Sequence, residues 1–243
     1  MGRIFITGDV HRDIDRAKFE EQNFSIQNEL TKDDFVIVTG DMGIVWYGWE
    51  NPNKLDIRDR QAIEWFNHKN FTTLFVDGNH ENHDALSKFP EEVWNGGKVH
   101  RLADSVFHLQ RGQVFDLYGK TFFTMGGAES VDRYGRVLGL SWWKNELPSK
   151  EEYEIAIENL RKHNMAVNYV ITHDCDTSLI RLCSAYSFDA NELNEFFRKL
   201  EFEYKLKFDK WYFGHHHIDK NLDSKHRCLY DDIIEIDINT QTV

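Results

Sequence analysis

The chain has 243 residues, 41% hydrophobic and 29% charged, which excludes a disordered segment and leaves ample length for a buried core. Its net charge of -12 disfavours long duplex nucleic acid as a partner, because such binding draws mainly on Lys and Arg. No apolar run approaches the roughly 20 residues that cross a bilayer, so no membrane segment is expected and the chain reads as one domain over residues 1–243.

In chain order, short apolar runs alternate with helical stretches. Ile4-Phe5-Ile6 comes almost at once and leads into Asp9, which predicts no signal peptide. Asp13 to Leu30 has near-helical apolar spacing through Ile14, Ala17, Phe24 and Leu30. Phe35–Val38 reads as a strand, Asp56–His68 as a helix and Leu74–Val76 as a strand. Val114 to Met125 reads as a hairpin turning at Gly119-Lys120. Residues 126–148 form the longest irregular stretch, with four glycines, Arg133, Arg136 and the pair Trp142-Trp143. Ser149-Lys150-Glu151-Glu152 is a capping box that opens a helix. Tyr169–Ile171 is a strand, Asp189–Leu200 a helix and Trp211–Phe213 a strand, and Cys228 to Ile238 is read as a second hairpin turning at Asp231-Asp232. Strands alternating with helices imply βαβ units. Cys175, Cys183 and Cys228 form no close CxxC pair, so neither a disulfide framework nor a zinc knuckle is expected, and a reducing cytoplasm fits.

Sites in open α/β sheets form at the carboxyl ends of strands. All five apolar runs end in metal-capable side chains: Asp9 and His11, Asp41, Asn79 and His80, His173, then His215 and His217. Asp9/His11 and His215/His217 are spaced i, i+2, so strand geometry carried that far projects each pair to one side and turns His216 away. The ligand atoms are nitrogen and oxygen, which suits Mn, Fe or Zn better than Ca or Mg. Seven such ligands suffice for two divalent ions sharing a bridging carboxylate.

The order Asp9-Val10-His11, Gly40-Asp41, Gly78-Asn79-His80-Glu81, His173 and Gly214-His215-His216-His217 resembles the signature of the calcineurin-like metallophosphoesterases, over nearly the whole chain. That resemblance implies a four-layer αββα sandwich of two mixed sheets flanked by helices. It implies one metal on Asp9, His11, Asp41 and His217, and another on Asp41, Asn79, His173 and His215, with Asp41 bridging. It implies hydrolysis of a phosphate ester by a hydroxide held between the ions. His80 then binds no metal but meets the substrate phosphate, stabilising charge or protonating the leaving oxygen.

The sequence departs from the protein Ser/Thr phosphatases of that superfamily, which extend the second motif to GDxxDRG. Here it runs Gly40-Asp41-Met42-Gly43-Ile44-Val45-Trp46, without the second Asp or the Arg. The departure predicts diesters or nucleotides over phosphoserine peptides and leaves Asp77, Glu81 and Asp84 as candidate partners of His80. A nuclease, a protein phosphatase and a non-catalytic metal-binding scaffold stand as alternatives. The scaffold reading is weakened by the presence of both Asn79 and His80. Arg12, Arg133 and Arg136 divide between solvated side chains and phosphate contacts, and Trp142 and Trp143 between packing and a substrate wall. His68, His83, His100, His108, His163 and His226 read as surface or structural, and Cys175 as a small buried thiol.

Overall fold

The computed structural model describes residues 2–183 and 190–238. All five apolar runs form strands: Ile4–Thr7, Phe35–Val38, Thr72–Phe75, Tyr169–Thr172 and Lys210–Phe213. Every residue in the first four is buried, as in strands covered on both faces.

The strands divide between two mixed sheets. In the first, Ile4–Thr7, Phe35–Val38, Thr72–Phe75 and Val106–Leu109 run parallel, in that spatial order. Ile233–Ile236 closes one edge antiparallel to Ile4–Thr7, and Gly97–Ala103 and Glu91–Trp94 extend the other. In the second, Lys120–Met125, Tyr169–Thr172, Lys210–Phe213 and His226–Cys228 run parallel. Its edges are Gln113–Leu117 and Lys220–Asn221, both antiparallel.

Period-two alternation splits each strand between two cores. Ile4, Ile6, Ile37 and Leu74 of the first sheet pack with Phe122, Ile171 and Tyr212 of the second, in a core between the sheets. Phe5, Val36, Val38 and Phe75 face the other way, onto Ala62, Ile63 and Phe66 of the helix Ile57–Asn67. Phe123, Val170, Trp211 and Phe213 face outward from the second sheet, onto Ala156 and Leu160 of the helix Lys150–Lys162 and onto Leu193, Phe197 and Leu200 of Glu192–Phe202. The result is the expected sandwich of two sheets flanked by helices.

Local chemistry sets the element ends. Asp56 caps Ile57–Asn67 by accepting from the Arg58 N–H. Ser149 and Glu152 form the predicted capping box. The helix read from Asp189 begins instead at Glu192, capped by Asn191; Asp189 itself lies outside the described residues. The first hairpin turns through Tyr118 and Gly119, both at positive φ, as a two-residue turn requires.

Two expectations are corrected. Asp13 to Leu30 is not one helix; it holds only the 3-10 turns Arg16–Phe19 and Ser25–Asn28. Phe19 and Phe24 both enter the core, five residues apart, a spacing that no single α-helical face accommodates. Gln27 donates to the Phe19 and Phe24 carbonyls and satisfies backbone that a helix would have paired. Nor is Cys228 to Ile238 a hairpin. His226–Cys228 belongs to the second sheet and Ile233–Ile236 to the first, so residues 229–232 cross between them. Asp219 holds the crossover by accepting from the Tyr230, Asp231 and Asp232 N–H groups.

Ser149→Ala removes the side-chain half of the capping box on Lys150–Lys162. It is expected to cost about 1 kcal/mol, seen as a lower urea midpoint with an unchanged denaturant slope.

Candidate metal centre

The carboxyl ends of strands from both sheets meet at one place. The backbone there does not continue as strand. His11, Asp41, His215 and His217 have φ of 45°, 46°, 65° and 50°, so tight left-handed turns rather than strand alternation aim these side chains. The expectation of extended geometry is corrected, while its consequence for His216 stands: that ring turns to Cys175 and Asp174. The turns fit together only because Gly lines them. Gly40 has φ +109°, and a Cβ on it would meet the His173 ring at 2.2 Å. A Cβ on Gly78 would meet Asp41 Oδ1 at 2.1 Å.

All seven expected ligands are brought together, in two groups. Ligand atoms of Asp9, His11 and His217 lie within 4.8 Å of one another, and so do those of Asp41, His173 and His215. Asp41 faces both groups: its Oδ2 is 3.2 Å from His11 Nε2, and its Oδ1 is 3.3 Å from His173 Nε2. Asn79 Oδ1 is 3.3 Å from His173 Nε2. His217 Nε2 is 3.1 Å from Asp9 Oδ2, a buried oxygen that receives no well-aligned hydrogen bond. Ligands about 2.0–2.2 Å from one ion stand roughly 3 Å apart at right angles, so these separations and this orphaned oxygen fit divalent cations.

The model of one family, the calcineurin-like phosphoesterases, matches residues 2–219. The chain belongs to the calcineurin-like phosphoesterases. Among solved structures, the phosphopantetheinyl hydrolase PptH from Mycobacterium tuberculosis is similar at 12% identity and TM-score 0.48, with 100% of this chain and 98% of that chain covered. A Staphylococcus aureus protein assigned as a 5′-nucleotidase, solved with alpha-ketoglutarate, is similar at 15% identity and TM-score 0.43, covering 94% of this chain and 48% of that one. No curated protein matches in sequence.

In this phosphoesterase, residues outside the motifs orient the imidazoles. His11 Nδ1 lies 2.7 Å from Asp15 Oδ2, and His173 Nδ1 lies 2.9 Å from the Thr39 carbonyl. Both contacts hold a proton on Nδ1 and aim Nε2 at the centre, where a metal ion would replace the proton that Nε2 shares with Asp41. Tyr230 stacks on His217 at 4.7 Å and donates from its hydroxyl to Asp15. Sequence reading passed over Asp15 and Tyr230; the one available signal was Asp15 at i+4 from His11.

The field at the centre favours cations. Burial acts to lower His173, but the adjacent Asp41 carboxylate outweighs it and pushes the ring up to about 10. Burial likewise opposes a rise at His11, which Asp41 drives to about 9. Asp41 is held well below the usual carboxylate range: burial raises it, and His173 and His11 more than reverse that. His215 is pushed down to about 4 by burial and remains a neutral imidazole.

His80 sits at the rim, its backbone N–H donating to Asp41 Oδ1 at 2.7 Å. None of its three candidate partners faces its ring. Asp77 accepts from Arg111 and contacts His108, Glu81 accepts from the Met42 and Gly43 N–H groups, and Asp84 is exposed. The neighbour is Arg136, whose Nη2 is 3.2 Å from His80 Nε2. All three arginines carry acidic partners: Arg136 pairs with Asp132, Arg12 with Asp59 and Arg133 with Glu129.

The loop 126–148 therefore borders the site. Ser130 accepts from the Asn79 amide at 3.2 Å and donates to Glu146 at 2.7 Å, which turns the Asn79 oxygen toward His173. Trp143 is buried edge-on against Trp46, a packing role, and Trp46 stacks near His80. A cleft of about 190 Å³ opens beside the centre, lined by His11, Arg12, Ile14, Trp46, Tyr47 and His80.

Gly40→Ala is expected to strain the turn and displace His173. The predicted loss is about 1–3 kcal/mol, read by thermal unfolding, together with weakened Mn binding in calorimetric titration.

Proposed function

We propose that this phosphoesterase uses two divalent ions, Mn, Fe or Zn, one held by Asp9, His11, Asp41 and His217 and the other by Asp41, Asn79, His173 and His215. The observation that carries this reading is Asp41, whose two oxygens face two separate ligand groups. Both sheets contribute ligands, so we read the chain as one domain. Ions placed there supply an activated water and positive charge against the phosphoryl oxygens.

The chain's own residues do the rest. Arg136 and His80 stand together at the open side, next to the cleft walled by Trp46 and Tyr47. We assign Arg136 to a phosphoryl oxygen and His80 to the leaving oxygen, as hydrogen-bond donor or acid. Burial lowers His80, and the negative charge of a bound phosphate ester would favour the protonated ring that an acid needs. Ile44 and Val45 are fully buried and offer neither the acid nor the arginine of the protein phosphatases. Arg12 lines the cleft but is paired with Asp59, which leaves Arg136 as the arginine beside His80, and a diester or nucleotide-type substrate fits that better than a phosphoserine peptide. The reducing cytoplasm is the proposed setting, consistent with three free cysteines. No helix among the described residues is long and apolar enough to cross a membrane.

Chelation should abolish turnover of an aryl phosphate, and added Mn should restore it. Asp41→Ala should bind the least metal of any single ligand variant. Full activity in excess chelator, or a chain without affinity for divalent ions, overturns the dinuclear reading.

His80→Ala should keep its metal yet lose about 10²–10⁴-fold in kcat. The loss should shrink for an ester with a good leaving group, and an equal loss for both classes assigns His80 to charge stabilisation. Comparing kcat/KM for an aryl diester, the matching monoester and a phosphopeptide tests substrate class; a win for the phosphopeptide refutes the diester preference.

A further inference from the structure

The chain's three cysteines are far apart in sequence but adjacent in the fold. Cys175 follows the strand Tyr169–Thr172, Cys183 ends the helix Thr177–Cys183, and Cys228 ends the strand His226–Cys228. They are 1%, 9% and 0% exposed. All three belong to one buried cluster, and the Cys228 thiol donates to the Gly214 carbonyl at 3.4 Å. His216, the ring turned away from the centre, aims Nε2 at this group, 3.5 Å from Cys175 Sγ. Ligand atoms of Cys175, Cys183 and His216 all lie within 4.8 Å of one another.

We propose that Cys175, Cys183 and His216 form a structural zinc site, separate from the Asp41 centre, with Cys228 of the same buried cluster moving in as the fourth ligand. Three thiolates and one imidazole are an ordinary closed set for tetrahedral zinc. With Zn–S about 2.3 Å and Zn–N about 2.0–2.1 Å, a tetrahedral angle puts sulfur and nitrogen roughly 3.5 Å apart, matching the Cys175–His216 separation. Hydrophobic packing accounts for buried thiols and Asp174 for one partner of the imidazole nitrogen, but neither accounts for the convergence of that nitrogen with two sulfurs. A disulfide would need an oxidant and would use only two of the three sulfurs.

His216 Nε2 also lies 3.2 Å from Asp174 Oδ1. Zinc would take that nitrogen from Asp174, which keeps the Cys175 N–H and the Asn194 amide as donors, each at 2.7 Å. Binding releases the thiol protons to solvent. The site would clamp the turn carrying His215 and His217 to the segment that follows His173. It therefore braces the ligands of the second sheet without touching the reacting atoms, and it does not depend on the reaction assigned above.

Cobalt reconstitution of the reduced full chain tests this. Cobalt on nitrogen and oxygen ligands alone gives no sulfur-to-cobalt charge-transfer band in the near ultraviolet. The wild type is expected to show that band, and Asp41→Ala to keep it while losing metal from the other centre. Cys175→Ser and Cys183→Ser should each weaken the band, and a mercurial reagent should release one zinc per chain from the zinc-loaded protein. A folded, cobalt-loaded wild type without the band overturns the proposal and needs no variant. So does an intramolecular disulfide found by mass spectrometry in the protein as isolated under nonreducing conditions.

Discussion

The arrangement depends on a carboxylate placed where water cannot reach it. Asp41 is 1% exposed, and a buried carboxylate is costly unless charges and donors surround it. The structure surrounds it from every direction. Its Oδ1 accepts from the His80 N–H, its carbonyl accepts from the Val10 and His11 N–H groups, and the turn after it is held by Glu81 through Met42 and Gly43. Gly40 and Gly78 allow the approach that puts His173 and Asp41 in contact. Moving Asp41 would disturb three strand ends at once, so the glycines of the motifs are as necessary as the side chains that carry charge.

Much of this was legible in the sequence because it is local. The five strands are β-branched or aromatic runs closed by Gly and polar residues, and the capping box at Ser149 is written in four consecutive letters. Features set by distant partners were not legible. Phe19 and Phe24 break the helix read over Asp13–Leu30 because both are drawn into a core built from other elements. Ile233–Ile236 leaves the supposed hairpin because its partner is Ile4–Thr7, at the other end of the chain. Glu91–Trp94, Gly97–Ala103 and Val106–Leu109, which extend the first sheet, carry mixed polar sequence and were not read as strands.

The site divides the same way. The motif residues were found by order and spacing, and the fold brings all seven together with His80 at the rim. The residues that orient them were hidden, Asp15 behind His11 and Tyr230 on the crossover between the sheets, whereas Arg136, a candidate phosphate contact in the sequence, lies beside His80. The last belongs to a loop whose glycines and tryptophans signalled use without assigning roles. The fold gives Trp143 to packing and Arg136 to the rim. The cysteines are the sharpest case, since spacing argued against a metal site and only the fold sets Cys175 and Cys183 beside His216.

An acidic chain handling an anionic ester looks contradictory until the charges are located. Asp9 and Asp41 are buried and shared among imidazoles. On the proposed reading, two divalent ions would add four positive charges where these carboxylates contribute two negative ones. The centre would then attract a phosphate while the outer surface stays negative. Surface repulsion acts over a Debye length of about 8–10 Å and grows with the length of a polyanion, whereas a compact ester meets mainly the ions, Arg136 and the cleft. On that reading the charge distribution would select small substrates over long nucleic acids, without a pocket that measures length.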